Sequence, residues 1–156
     1  MNKNRRQALK SGAGVTAMGL AAAVGLLPVG NAWAQAWNKA AFEGKNLADV
    51  VKAMGGVAPT QSADISINAP DIAENGAVVP IGVTSKLGKT ESIAILVEKN
   101  PSALAASFDI PGGTEANVTT RVKMGQSSNV HALVKAGGKY YVATKEVKVT
   151  LGGCGG

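Results

Sequence analysis

Cysteine and histidine are the residues that this sequence has least of, since each occurs once in 156 residues. One cysteine cannot form a disulfide within the chain, and one cysteine with one histidine falls short of a zinc ligand set. Aromatic residues make up only 4% of the chain, and the basic residues beyond position 34 form no cluster interleaved with them. The sequence therefore predicts no metal site and no cofactor, and it argues against a nucleic-acid-binding protein.

Acidic residues are absent from positions 1–34, where a basic start precedes an apolar stretch. The pair Arg5-Arg6 resembles a twin-arginine signal, and Ala32-Trp33-Ala34 is typical of a signal-peptide cleavage site. We therefore expect export to the periplasm in the folded state, and a mature chain that begins at Gln35 without a membrane anchor. A retained transmembrane anchor is the alternative, although glycines and a proline make this stretch a weak membrane helix. The basic residues of the segment are Lys3, Arg5, Arg6 and Lys10.

The basic character of the chain comes mostly from this export segment. The whole chain has 16 basic and 10 acidic residues, and the segment contains four of the basic ones, so the mature part has a net charge of only +2. Folded export often serves proteins that carry a cofactor, which nothing in this sequence indicates. A second reason for folded export is a bound partner that lacks its own signal, and we keep this as a hypothesis.

A single domain is predicted for residues 35–151, and it begins with a short helix. Asn46 precedes apolar residues at helical spacing and suits an N-cap, while Gly55-Gly56 suits the stop. An irregular turn is expected around residues 38–42. The apolar positions of the helix are Leu47, Val50, Val51 and Met54.

Beyond Pro59 the apolar residues alternate, and turn residues recur about every ten positions, which is typical of strands. Gly137-Gly138 predicts a tight hairpin, because both glycines tolerate positive φ. We expect each strand to have one buried and one exposed face. The pattern predicts a mainly β protein, an immunoglobulin-like antiparallel sandwich of about seven strands. The predicted strands span 63–68, 76–84, 91–98, 104–110, 116–124, 129–136 and 139–151.

The single cysteine, Cys154, lies between two glycine pairs, Gly152-Gly153 and Gly155-Gly156. Glycine resists regular structure, so residues 152–156 are predicted to form a flexible arm beyond the last strand. Extended residues span at most about 3.3–3.6 Å each, which places the thiol on the order of 10–15 Å from the domain. The stem carries no side chains and suits entry into a narrow channel. We therefore interpret the arm as a covalent carrier.

Three other interpretations of the cysteine stay open at this point. A lone cysteine in an exported protein is able to cross-link two chains through an intermolecular disulfide, which would make the chain a structural module. A glycine-rich chain end is also able to fray without any function. Activation of the terminal Gly-Gly as a thiocarboxylate is the third, but it needs ATP, which the periplasm does not supply.

Catalysis by the cysteine itself is not expected, and the sequence predicts no catalytic residue. A catalytic thiol has a histidine, a cation or a helix N-terminus beside it to form the thiolate. Lys148 lies six residues before Cys154, and His131 is expected on a strand surface. Activation would therefore come from whichever enzyme the arm visits.

Three stretches of the sequence resemble the SoxY family, the carrier of the periplasmic thiosulfate-oxidising Sox system. They are the tail 147–156, the segment 73–81, and Thr120-Arg121-Val122-Lys123-Met124 followed by Ser127-Ser128. The similarity spans most of residues 40–156, and the Gly-Gly-Cys-Gly-Gly sequence is its most specific part. The signal segment departs most from the usual pattern, because Asn4 and Ala8 stand where a Ser or Thr and a bulky apolar residue are preferred.

The resemblance implies an immunoglobulin-like subunit that pairs with a second small β-sandwich protein, SoxZ. Cys154 stands at the position that carries sulfur intermediates covalently in the family. The loaded arm would visit a c-type haem enzyme that attaches thiosulfate oxidatively, a manganese-dependent hydrolase that releases sulfate and, in some systems, a sulfane dehydrogenase. SoxZ typically lacks a signal, which would explain folded export of a chain without a cofactor.

Overall fold

The structure, a computed structural model, describes residues 38–150. This part of the chain forms two short helices followed by nine strands. None of its helices combines the length and the apolar character that crossing a membrane requires. The elements are α1 (Lys39–Glu43), α2 (Leu47–Ala53), β1 (Thr60–Gln61), β2 (Ile65–Asn68), β3 (Ile72–Ala73), β4 (Val79–Ser85), β5 (Thr90–Val97), β6 (Leu104–Asp109), β7 (Asn117–Val122), β8 (Ser128–Ala136) and β9 (Lys139–Val149).

The predicted helix is confirmed as α2, and its ends form as the sequence indicates. The side chain of Asn46 accepts a hydrogen bond from the backbone N–H of Asp49, which is the N-cap interaction. Beyond the helix, Gly55 has a φ of 77°, which favours glycine. The turn expected around residues 38–42 is the short helix α1, capped by the side chain of Asn38.

Two sheets pack face to face and form the predicted immunoglobulin-like β-sandwich. The larger sheet has the order β1-β9-β8-β5-β6, with β3 also paired to β9, and the smaller has the order β2-β4-β7. The core between them is aliphatic. Its fully buried members include Val79, Ile81, Val83, Ile93, Ile95, Val97, Val130, Val134 and Val147.

The expectation of one buried and one exposed face is wrong for the centre of the larger sheet. In β5 every residue from Ser92 to Val97 is buried, so both faces of the strand are covered. The reason is that α1 and α2 pack on the outer face, where Val50 and Val51 meet Leu96 and Leu133. The alternation does hold in β7, which forms an edge of the smaller sheet.

Strands β1 and β3 have no counterpart in the sequence prediction, and both pair in parallel with β9. Each has only two residues, too few for an alternating pattern to show. The hairpin of β8 and β9 is confirmed, with φ values of 55° at Gly137 and 74° at Gly138. The last strand ends at Val149, two residues before its predicted end, and Leu151 lies outside the described residues.

Candidate functional site

The predicted carrier residues, Cys154 with Gly152, Gly153, Gly155 and Gly156, lie outside the described residues, as does the predicted export segment 1–34. The structure describes the chain up to Thr150, the residue that follows β9. We call Val149 and Thr150 the arm root, because the predicted arm follows it two residues later. The contacts of the arm root therefore define how the chain is held just before the predicted arm.

One edge of the arm root is fixed by backbone hydrogen bonds from the chain around β3. The N–H of Lys148 donates to the carbonyl oxygen of Asp71 at 2.9 Å, and the N–H of Thr150 donates to that of Ala73 at 3.1 Å. The Thr150 hydroxyl lies 3.5 Å from the carbonyl oxygen of Glu74. The two residues of β3 thus pair with the end of β9. Because of this pairing, backbone hydrogen bonds hold the chain as far as Thr150.

The opposite edge of the arm root is held by one side chain. Backbone pairing of β8 with β9 ends at Ser128 and Val147. Beyond it, the N–H of Val149 donates to Oγ of Ser127 at 2.9 Å, and the same hydroxyl lies 3.5 Å from the Val149 carbonyl oxygen. The Ser127 side chain therefore takes the place of a backbone partner where the ladder has stopped.

Gly76 packs directly against the arm root. A Cβ at this position would lie 2.8 Å from Cγ1 of Val149, and it would be still closer to the carbonyl oxygen of Met124. Real Cβ atoms essentially never show such contacts. The Gly76 carbonyl oxygen accepts a hydrogen bond from the N–H of Met124 at 2.7 Å. Only glycine fits between the two chain segments here.

The loop that follows β5 bonds to residues 123–128, which lie beside the arm root. The Asn100 side-chain amide donates to the Lys123 carbonyl oxygen at 2.7 Å, and its Oδ1 lies 3.4 Å from the N–H of Gly125. Oγ of Ser128 accepts from the N–H of Lys99 at 3.0 Å. These bonds join residues 23 to 29 positions apart in sequence.

The stretches that the sequence analysis singled out for their resemblance thus meet at this end of the sandwich. Segments 73–81 and 120–128 both contact the end of β9 or each other. Sequence reasoning assigned no role to Ser127, Gly76 or Asn100. For Ser127 and Gly76, the signal in the sequence is that they lie in stretches that resemble the SoxY family. For Asn100, the signal is that Asn100-Pro101 is typical of a turn.

His131 lies on the outer face of β8, and its side chain is partly buried, with 13% exposed. Its Nδ1 and Oγ1 of Thr144 are 2.8 Å apart, and its Nε2 lies 3.8 Å from Oε2 of Glu98. Burial lowers the pKa of His131, and the Glu98 carboxylate opposes that shift. His131 thus lies on a strand as predicted, and its side chain is partly buried there.

The ionisable side chains next to the arm root lie at the protein surface. Residues 38–150 contain no group of three or more histidine, cysteine, aspartate or glutamate side chains placed to hold a metal ion. The charged side chains next to the arm root, Lys148 and Glu74, are exposed. The end of β9 is held by backbone hydrogen bonds and by the hydroxyl groups of Ser127 and Thr150.

Comparison with known proteins gives a family and a fold. The family described as "Sulfur oxidation protein SoxY" matches residues 50–154. Among solved structures, the sulfur carrier protein SoxY from Chlorobium limicola f thiosulfatophilum is 40% identical, with a TM-score of 0.62. That match covers 68% of this chain and 97% of the other chain. No curated protein sequence matches the chain.

A second solved structure is less similar in sequence and in fold. The superoxide reductase (neelaredoxin) from Ignicoccus hospitalis is 20% identical with a TM-score of 0.46. The match covers 55% of this chain and 80% of the other.

Proposed function

Because the chain belongs to the SoxY family, we propose that it carries thiosulfate-derived sulfur intermediates covalently on Cys154. The family and the similar sulfur carrier protein support a carrier role in sulfur oxidation. The finer assignment to Cys154 has one main support, which is that the family match extends over the arm to residue 154. The fixed arm root supports it further, since a defined anchor is what a mobile carrier segment needs.

The carrier chemistry needs a thiol and little else from this chain. In the first step the Cys154 thiol and thiosulfate combine to a cysteine S-thiosulfonate, with release of one proton and transfer of two electrons to a c-type haem enzyme. In the second, a manganese-dependent hydrolase adds water, which releases sulfate and two protons and leaves a persulfide anion on Cys154. Both enzymes are separate proteins, and this chain supplies the attachment atom and its delivery.

The experiment that tests this proposal is intact-mass analysis of the mature protein incubated with thiosulfate and the cognate haem enzyme. We expect the neutral mass to increase by one S2O3 group, since the sulfonate proton replaces the thiol hydrogen, and this increase should disappear on reduction. The Cys154→Ser variant should show no adduct. Its stability should stay within about 0.5 kcal/mol of the wild type, as for a surface position without packing contacts.

The same spectra separate the carrier from a disulfide-linked structural module. A covalent dimer that reduction converts to monomer, with no thiosulfate adduct under any condition, would contradict the carrier proposal. An adduct that persists in Cys154→Ser would contradict the assignment to this residue.

We further propose a SoxZ-like β-sandwich partner in a stable heterodimer, and export to the periplasm with loss of residues 1–34. Family membership supports interactions with other Sox components in general. A tagged copy of this chain co-expressed with the candidate partner should co-purify with it. N-terminal sequencing of periplasmic protein should begin at Gln35, and an intact Met1 on functional protein would contradict the export proposal.

A further inference from the structure

We propose that Ser127 is a positioning residue that sets the point at which the arm begins to move. This inference rests on the proposed carrier function, because the position of the arm root matters only if the arm delivers Cys154. Within the described residues, the Ser127 side chain bonds to Val149, and its proposed effect acts through that residue.

The two edges of the arm root are held in different ways. On one edge, the N–H groups of Lys148 and Thr150 donate to backbone carbonyls around β3, which no side-chain substitution removes. On the other edge, the ladder with β8 has ended at Val147, and the N–H of Val149 has the Ser127 hydroxyl as its partner. One side chain thus decides whether Val149 is held on both edges or on one.

A serine hydroxyl suits this position because it has one donor and two acceptor lone pairs. Ser127 accepts from the Val149 N–H at 2.9 Å, and its Oγ lies 3.5 Å from the Val149 carbonyl oxygen. Val149 is only partly exposed and packs against the core, so an N–H without a partner there carries a cost. Removing the hydroxyl should therefore favour opening of the last residues of β9.

Opening of the arm root would add two residues, Val149 and Thr150, to the predicted flexible arm. At about 3.3–3.6 Å per residue, the origin of the arm would shift by up to about 7 Å. A longer flexible tether lowers the effective concentration of the thiol at a fixed target. Delivery of Cys154 to a partner enzyme should weaken, while its reactivity with a small freely diffusing reagent should not change.

The test compares the mature wild type with Ser127→Ala in three measurements. Amide hydrogen exchange at Val149 should become about three- to tenfold faster, as loss of one hydrogen bond predicts. The KM of the haem enzyme for the carrier should rise about two- to fivefold with kcat unchanged, since fewer molecules hold the competent arrangement. The rate of Cys154 with a small maleimide should equal that of the wild type.

Two further variants separate positioning from general destabilisation. Ser127→Thr keeps the hydroxyl and should restore both the exchange rate and KM. Ser128→Ala is the matched control, because its hydroxyl bonds to the N–H of Lys99 and not to β9. It should lower global stability without accelerating exchange at Val149 beyond the rate of global unfolding.

Unchanged exchange at Val149 in Ser127→Ala would overturn the inference, as would an equal acceleration in Ser128→Ala. Faster exchange with an unchanged KM would also overturn it, because positioning would then have no consequence for delivery. If the wild type itself receives no sulfur from the haem enzyme, the proposed function fails. The exchange result would still decide whether Ser127 holds the arm root.

Discussion

The two ends of the sandwich are built differently. At the arm end, the loops are joined by bonds between distant positions, such as Ser127 to Val149 over 22 residues and Thr150 to Glu74 over 76. At the far end, β9 follows directly from β8 through a hairpin at two glycines with positive φ. Short turns such as Thr90 to Leu87, three residues apart, close there next to longer-range bonds such as that from the Gly138 N–H to the Glu91 carboxylate over 47 residues.

The difference shows that the two ends of β9 are held by different means. The hairpin holds one end through the covalent connection to β8, whereas bonds to other segments of the chain hold the end at Val149 and Thr150. The arm end depends on three separate loops that stay in register with the end of β9. A single substitution there should therefore disturb several loops, whereas a substitution at an unpacked position of the far end should stay local.

The largest effect is expected from Gly76→Ala at the arm end. A Cβ would collide with the Met124 carbonyl oxygen and with Cγ1 of Val149, and the backbone atom cannot rotate away. We expect destabilisation by roughly 2–3 kcal/mol in urea unfolding, as for overpacked sites. Gly88→Ala at the far end is the matched control, since nothing lies within 4 Å of its Cβ position. It should change stability by less than about 0.5 kcal/mol, and equal effects would refute the contrast between the ends.

An intermediate effect is expected from Asn100→Ala. This change removes two bonds across the arm end, to the Lys123 carbonyl oxygen and from the Gly125 N–H. The loss should be about 1 kcal/mol of unfolding free energy. Ser62→Ala, which removes a bond to a residue only two positions away, should cost less than about 0.5 kcal/mol. A larger loss in Ser62→Ala than in Asn100→Ala would show that the two long-range bonds of Asn100 do not stabilise the fold more than one local bond does.

The smallest effect concerns pH and His131, whose pKa burial lowers from its usual value near 6.5. The unfolded chain then binds this proton more readily than the folded chain, so stability falls as the pH drops below about 6.5. Glu98 is the charged group that faces His131, and it limits the shift. Urea unfolding at pH 7.5 and 5.5 should show a smaller loss for His131→Asn than for the wild type. The same loss in both proteins would show that His131 does not contribute.

The sequence predicts those parts of the fold that local chemistry determines. The N-cap at Asn46, the end of α2 and the Gly137-Gly138 hairpin each depend on a few adjacent residues with distinct conformational preferences. The seven longer strands likewise lie within a few residues of their predicted ends. The spacing of their apolar residues locates these strands, because each strand has side chains that pack into the core on at least one face.

The missed features all depend on residues that are distant in sequence. The burial of both faces of β5 requires the helices, and β1 and β3 exist only as partners of β9. Nothing local distinguishes Ser127 from any other loop serine, because its role arises where the β8 ladder stops. The carrier position itself is predicted from the arrangement of glycines around Cys154 and from resemblance, and it stays a prediction.

The measurement that tests the carrier account most directly uses a variant with valine at both Gly152 and Gly153. Branched side chains should stiffen and widen the stem while leaving the thiol in place. We predict that this variant reacts with a small thiol reagent at the wild-type rate and that its turnover in a reconstituted thiosulfate-oxidising assay falls by more than about tenfold, a barrier increase of about 1.4 kcal/mol. Turnover at the wild-type rate would contradict the account, because delivery by a flexible arm would then not be required.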